Sequence, residues 1–146
     1  MLTKEETHGI LLDKLGKFNY VYLETYNGWN QLLIDALGKI INLLEKSSIP
    51  LNYFQIDQIK QKFGTLRFYW SWLDPENKIK PKNIINKIEQ IINKTEQISA
   101  STCENCGLIG RRSAIKSWCF TLCQTCEQEI KQNSKESKIN PSESEV

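Results

Sequence analysis

Cys103-x-x-Cys106, then sixteen residues, then Cys123-x-x-Cys126 is the arrangement in this sequence whose residue types and spacing best suit chemistry. Each pair curls its backbone so that two thiolates reach one ion, and a pair of pairs is the signature of a structural zinc site. Gly107 directly follows Cys106 and permits the tight turn that such a knuckle needs. Four thiolates fill a tetrahedral ion, so the site holds structure together and leaves no open position for a reaction. One structural Zn²⁺ on Cys103, Cys106, Cys123 and Cys126 is therefore expected. Its formal charge would be roughly −2, and Arg111, Arg112 and Lys116 lie between the pairs where they could offset it.

Other uses of these cysteines fit less well. A disulfide framework is disfavoured by the odd count of five and by the CxxC pairing. A thioredoxin-like motif needs one CxxC in a βαβ setting, and here there are two matched pairs. Iron–sulfur ligation is compatible with four cysteines but less common at this spacing. Cys119 lies about 13 Å from Cys123 along an extended arm, at roughly 3.3 Å per residue, too far to share the ion. It reads as a small, half-buried apolar residue.

Nothing else in the chain reads as catalytic. The zinc deaminase pattern of His-x-Glu ahead of Pro-Cys-x-x-Cys does not occur. His8 is the only histidine, is expected on an exposed N-terminal helix, and reads as a solvated helix residue in preference to a general base. No phosphate loop, dinucleotide turn or serine elbow is found. The expectation is a protein that is not an enzyme.

The elements that position the cysteines follow from periodicity. Thr3-x-x-Glu6 forms a capping box and opens a helix to about Lys14, with Ile10, Leu11, Leu15 and Phe18 as its buried side. The short aromatic piece at residues 20–23 reads as a helix end or a brief extended segment. Trp29, Leu32, Leu33, Ala36, Leu37, Ile40 and Leu44 recur at helical spacing, with Asn27 as N-cap and an end at Lys46. Gly38 inside this helix implies close packing there. Leu66, Phe68, Trp70 and Trp72 alternate with polar residues and form a half-buried strand. A less regular strand precedes it, and Gly64 joins the two as an antiparallel hairpin. After the Asp74-Pro75 loop, Pro81 opens a helix whose stripe is Ile84, Ile85, Ile88, Ile91, Ile92, Thr95 and Ile98. Residues 109–113 and 118–122 are the arms of a small hairpin between the cysteine pairs.

The fold class expected is α+β: amphipathic helices packed on a small antiparallel β-hairpin or sheet, with a C-terminal four-cysteine zinc-ribbon-like hairpin. The domains expected are an α+β body at 1–100, the zinc-binding hairpin module at 101–131 and a disordered polar tail at 132–146. Composition is that of an ordinary soluble globular chain, 40% hydrophobic and 25% charged. The net charge of +2 is too balanced to imply nucleic acid by itself. Met1 to Ile10 carries acids where a signal peptide would be apolar, and no apolar run is long enough for a membrane span. A reducing cytoplasm and no membrane partner are expected.

Several of these motifs occur together in one order: Gly28-Trp29 opening an apolar helix, then Lys60-x-Lys62-Phe63-Gly64-x-Leu66-Arg67-Phe68-Tyr69, then Cys103-x-x-Cys106-Gly107, then Trp118 with Thr121-Leu122-Cys123-x-x-Cys126. Over residues 27–127 the chain resembles a group of small proteins from bacteria, their phages and mobile elements. In similar sequences the last ligand is often His, where this chain has Cys126. The resemblance implies the architecture and a bacterial or phage setting.

A non-catalytic binding role follows, most simply as a protein-interaction module such as an adaptor, inhibitor or immunity-type protein. Phe63 at the hairpin tip and Tyr69 on the polar face are the candidate exposed anchors, and Arg67, which alternates onto the polar face with Tyr69, marks the first candidate contact surface. Nucleic acid is the alternative partner, through Lys60, Lys62 and Arg67 on the hairpin and Arg111, Arg112 and Lys116 near the cysteines, with Tyr69 stacking on a base.

Overall fold

Aromatic alternation, two apolar helical stripes and a doubled CxxC leave few ways to bury everything, and the computed structural model shows the way taken; it describes residues 1–15, 23–74 and 81–136. The fold is α+β. In order, the elements are α1 (Lys4–Leu15), β1 (Leu23–Glu24), α2 (Asn30–Lys46), β2 (Phe54–Lys62), β3 (Thr65–Trp72), α3 (Lys82–Ser99), β4 (Arg111–Ile115), β5 (Trp118–Leu122) and α4 (Gln124–Glu136).

The capping box at Thr3 forms as expected. The Glu6 amide donates to Thr3 Oγ1 at 3.1 Å, and that hydroxyl donates to Glu6 Oε1 at 3.2 Å. Of the buried side expected for this helix, Ile10 is half-buried. The Leu11 and Leu15 side chains, Phe18 and residues 20–22 lie outside the described residues.

Asn27 does not cap α2. It begins a one-turn 3-10 helix, Asn27–Trp29, and Trp29 occupies the cap position without a side-chain cap bond. Asn30 is buried instead, donating to Leu2 O at 2.9 Å and to Asn27 Oδ1 at 3.2 Å, which ties α1 to the start of α2. Gly38 is not a close-packing point either, since a Cβ there would meet nothing within 4 Å.

The hairpin closes at Phe63-Gly64, both with positive φ (54° and 79°), the geometry of a two-residue turn matched to strand twist. A register shift between Ile56 and Gln58 makes Asp57 a bulge residue, which accounts for the irregular β2 pattern. β1 adds a third, parallel strand, with Leu23 beside Ile59 and Glu24 beside Lys60. That pairing is not legible in the sequence, because a two-residue strand has no periodicity.

The inner face of the sheet meets both long helices in one core, where Trp29, Leu33, Leu37, Ile40, Leu44, Phe54, Ile59, Leu66, Ile88 and Ile92 are buried. Phe54 packs on Phe68 and Trp70 at centroid distances of 6.3 and 5.5 Å. Helix α3 also covers the free edge of β3. Ser99 Oγ accepts from the Leu66 amide and Glu96 Oε2 from the Phe68 amide, both at 2.9 Å, so those edge donors are not left open. The isoleucine stripe ends earlier than its spacing implies, since Ile98 is 42% exposed.

The polar segment at 132–136, expected to belong to a disordered tail, is helical. Helix α4 runs through Lys131 to Glu136, past the boundary expected for the zinc module. Its Glu, Gln and Lys content favours helix, Glu127 pairs with Lys131 at 3.0 Å, and Ile130 packs on the core of the cysteine lobe. Residues 137–146 lie outside the described residues. No helix among the described residues is long and apolar enough to cross a membrane.

Leu37 and Ile98 separate the core from its margin. Leu37→Ala is expected to lose about 2–5 kcal/mol in urea denaturation. Ile98→Ala is expected to lose less than about 1 kcal/mol, because Ile98 is already 42% exposed and lies at the margin of the core.

Candidate metal centre

The chain turn after α3 builds the first knuckle. The Gly107 amide donates to Cys103 O at 2.8 Å and the Cys103 amide to Leu108 O at 2.7 Å, with Gly107 at φ +84°. A bridge between Thr102 and Ile109 then leads into the β4–β5 ribbon, whose Lys116-Ser117 turn has φ of 49° and 70°. The second pair lies where β5 runs into α4. Cys123 precedes the helix, and the Cys126 amide approaches Cys123 Sγ at 3.4 Å. A thiolate in this position faces the positive end of the helix dipole.

These two units bring Cys103, Cys106, Cys123 and Cys126 together, with all four sulfurs within 4.8 Å of one another. Cys103 and Cys126 are buried, while Cys106 and Cys123 are half-buried. Cys106 Sγ and Cys123 Sγ are 3.7 Å apart. Such a quartet can hold one metal ion. Cys119 stands outside it, as its spacing implied. Its sulfur accepts from Arg112 Nε at 3.0 Å, a polar contact that the apolar reading of Cys119 did not include.

Backbone and amide donors surround the sulfurs. Burial alone would raise the Cys103 thiol, but backbone hydrogen bonds from Cys123, Cys106 and Asn105 outweigh it and bring it down to about 7. Burial pushes the Cys126 thiol up to about 12, opposed by Asn105 Nδ2, which donates to its sulfur at 3.3 Å. Cys106 is also raised, again chiefly by burial. The donors that face the sulfurs are thus peptide and side-chain amides.

The basic residues between the pairs are placed differently from expectation. Arg112 turns away to Cys119 and to the carbonyl of Phe63. Arg111 is exposed near Glu127, and Lys116 is exposed at the far end of the ribbon. Of these three, the structure brings Arg112 alone to the β2–β3 hairpin. On the hairpin, Lys60 Nζ lies 5.9 Å from the Tyr69 ring centroid and Lys62 Nζ 5.9 Å from the Phe63 ring centroid. Tyr69 is 43% and Phe63 64% exposed. Arg67 is half-buried, and its Nε is buried without a hydrogen-bond partner among the described residues.

The residues that join this lobe to the body escaped the sequence reading. Gly28 is pressed against it, with its amide donating to Glu104 O at 2.8 Å, and a Cβ there would sit 2.2 Å from Cys103 O. Trp29 Nε1 donates to Thr102 O at 2.8 Å. Thr121 Oγ1 donates to Gly64 O at 2.6 Å. At the centre is Glu104, only 1% exposed. Its carboxylate accepts from Gln61 Nε2 at 3.1 Å and from the Thr121 amide at 3.0 Å, and Gln61 also donates to Cys119 O at 2.8 Å. Burial holds the Glu104 carboxyl above its usual range, against those two donors. One signal could have marked it: an acid beside ionised sulfurs is repelled by them, so it must be satisfied elsewhere.

Compared with known proteins, the chain matches no family model, no curated protein sequence and no solved structure.

Two measurements check this centre. Cys126→Ser is expected to lose bound metal in elemental analysis while Cys119→Ser retains it, because the former lies in the sulfur quartet. Glu104→Gln tests the junction. A carboxyl raised in the folded state contributes stability that is complete below its unfolded value, near 4.5, and is lost as pH rises through the folded value. As pH rises above about 4.5 the wild type is therefore expected to lose stability relative to Glu104→Gln in urea titrations. Parallel curves would contradict the assignment.

Proposed function

We propose that this chain is a non-catalytic, zinc-stabilised binding protein of the bacterial cytoplasm, of bacterial, phage or mobile-element origin. Its partner is another protein, met by the outer face of the β2–β3 hairpin.

The sulfur geometry supports zinc. A tetrahedral ion about 2.3 Å from each sulfur separates the sulfurs by roughly 3.8 Å, and the Cys106–Cys123 distance is 3.7 Å. A disulfide would draw two sulfurs to about 2.05 Å. A multi-iron cluster would spread four ligands wider than this quartet. Four protein ligands leave zinc no open position, which supports a structural and not a catalytic role. The bacterial or phage setting rests on the resemblance of the hairpin block and cysteine pairs.

The observation that carries the binding reading is the display of Phe63 and Tyr69 on a hairpin braced from behind. The metal lobe holds the hairpin tip through Gly64, Gln61 and Arg112, so the two aromatics are presented on a fixed frame. Exposed aromatics on rigid backbone bind at low entropic cost. The face they share is mixed in sign. Asp57 accepts from Gln55 at 3.1 Å, and Glu24 from Gln58 at 3.5 Å, close to Lys60. Carboxylates among the lysines repel phosphates and suit a protein partner.

A second reading has one observation in its favour. Lys62 Nζ lies over the Phe63 ring and Arg112 reaches the Phe63 carbonyl at the hairpin–ribbon junction, an aromatic with cations nearby of the kind that binds single strands. Two experiments separate the readings. Affinity purification from the native host is expected to recover a partner that Lys60→Ala/Tyr69→Ala retains at least about tenfold less well, with circular dichroism and metal content unchanged. Equal retention would exclude this face. Oligonucleotide shifts at low salt are expected to be absent. A salt-sensitive shift with single strands, lost in Lys60→Ala/Lys62→Ala, would install the nucleic-acid reading.

A further inference from the structure

Between α2 and α3, on the solvent side of the helix pair, runs a groove of about 460 Å³. Its floor is apolar, made by Leu43, Ile91 and Ile98. Its rims carry Lys39 and Lys46 on α2 and Lys87 and Lys94 on α3. All four lysines are exposed.

The arrangement is periodic on both helices. Lys39, Asn42, Leu43 and Lys46 fall at i, i+3, i+4 and i+7, and Lys87, Gln90, Ile91 and Lys94 repeat the same order. At 1.5 Å rise per residue, the two lysines on each rim are about 10.5 Å apart along the axis. Each helix thus contributes an aliphatic side chain bracketed by cations, and the two sets face one another.

A solvated helix face usually interleaves opposite charges at i,i+4 spacing. Here one such spacing occurs, Asp35 before Lys39, and Asp35 turns instead to Gln31, whose Nε2 donates to it at 2.8 Å. The chain holds 17 acidic residues against 19 basic ones, yet no carboxylate lines the groove. None of the four lysines forms an ion pair with a described residue. The nearest acids on α3 have other placements, Glu96 being engaged at the Phe68 amide. Ile98 sharpens the point, since it continues the isoleucine stripe but stays 42% exposed at the groove floor. The core ends before it.

We propose that the α2–α3 groove docks an acidic amphipathic α-helix of a partner protein. The helix lays its apolar stripe along Leu43, Ile91 and Ile98, and its flanking carboxylates reach the four lysines. A groove between two helices has the width to seat a third. Positive rims around an apolar floor complement a helix with acids on either side of an apolar stripe. The proposal goes beyond the hairpin surface and stands without it, because the two lie on different layers of the body.

The test uses the full, metal-loaded chain and a fluorescein-labelled helical peptide of about four turns, with Leu at i, i+4, i+7 and i+11 and Glu on both flanks. A matched peptide carries Lys in place of every Glu. Fluorescence anisotropy is expected to show binding of the Glu peptide that weakens with salt. The variant Lys39→Glu/Lys46→Glu/Lys87→Glu/Lys94→Glu is expected to lose at least about tenfold in that affinity and to gain binding of the Lys peptide. If the fourfold variant does not keep its circular dichroism and metal content, Lys39→Glu/Lys46→Glu on α2 alone gives the same reversal in smaller measure. Ile98→Asn, which makes the floor polar without adding charge, is expected to weaken the Glu peptide without changing the salt dependence. Absent binding of the Glu peptide, or equal binding by the charge-reversed variant, overturns the proposal. So does binding of phosphatidylserine vesicles or single-stranded DNA through these lysines when the peptide does not bind.

Discussion

Four thiolates within 4.8 Å of one another would repel strongly, and a cation held at their centre would convert that repulsion into attraction. The lobe that carries them has little else. Its own core is Ile115 and Leu122 with the cysteines themselves, and Phe120 and Ile130 pack at its margin. A two-stranded ribbon with so small an apolar interior does not hold its shape unaided. An ion held there would close a loop between two knuckles that sequence separates by sixteen residues, and the free energy of binding it would be free energy of folding the lobe.

That order is passed on to the body through polar contacts and not through a shared apolar core. Gly28 has no side chain because Cys103 O occupies the space. Glu104 lies buried between Gln61 of the hairpin and the Thr121 amide of the ribbon. Buried polar contacts of this kind fix orientation sharply, since any slip leaves a donor or a carboxylate unsatisfied. The hairpin tip is therefore held from behind by the metal lobe, while its outer face stays free. The proposed protein-binding role, and the helix-docking groove on the far layer, both rest on a body whose two surfaces are fixed in this way.

Much of this was legible in the sequence wherever a local pattern repeats. The alternation from Leu66 to Trp72 located β3, and the stripe from Ile84 to Ile92 located α3. The doubled CxxC located the sulfur quartet. What failed lacked local periodicity. The parallel β1 is two residues long. Asn27 looked like a cap, but the chain tightens into a 3-10 turn there to bring Gly28 and Trp29 against Thr102 and Glu104. Gly38 looked like the packing glycine, whereas Gly28 is the one that packs, and only tertiary contact decides between them. Residues 132–136 looked too polar to fold, but α4 is started by the cysteine pair at its N-terminus and not by an apolar stripe.

The most direct test of the metal-centred account is native mass spectrometry of freshly purified, untagged protein without added metal. The account requires one zinc ion per chain, seen as a mass gain of one zinc less the two protons its charge replaces, and release of that ion together with a shift to the higher charge states of an opened chain. A metal-free chain with the same compact charge-state distribution would contradict it.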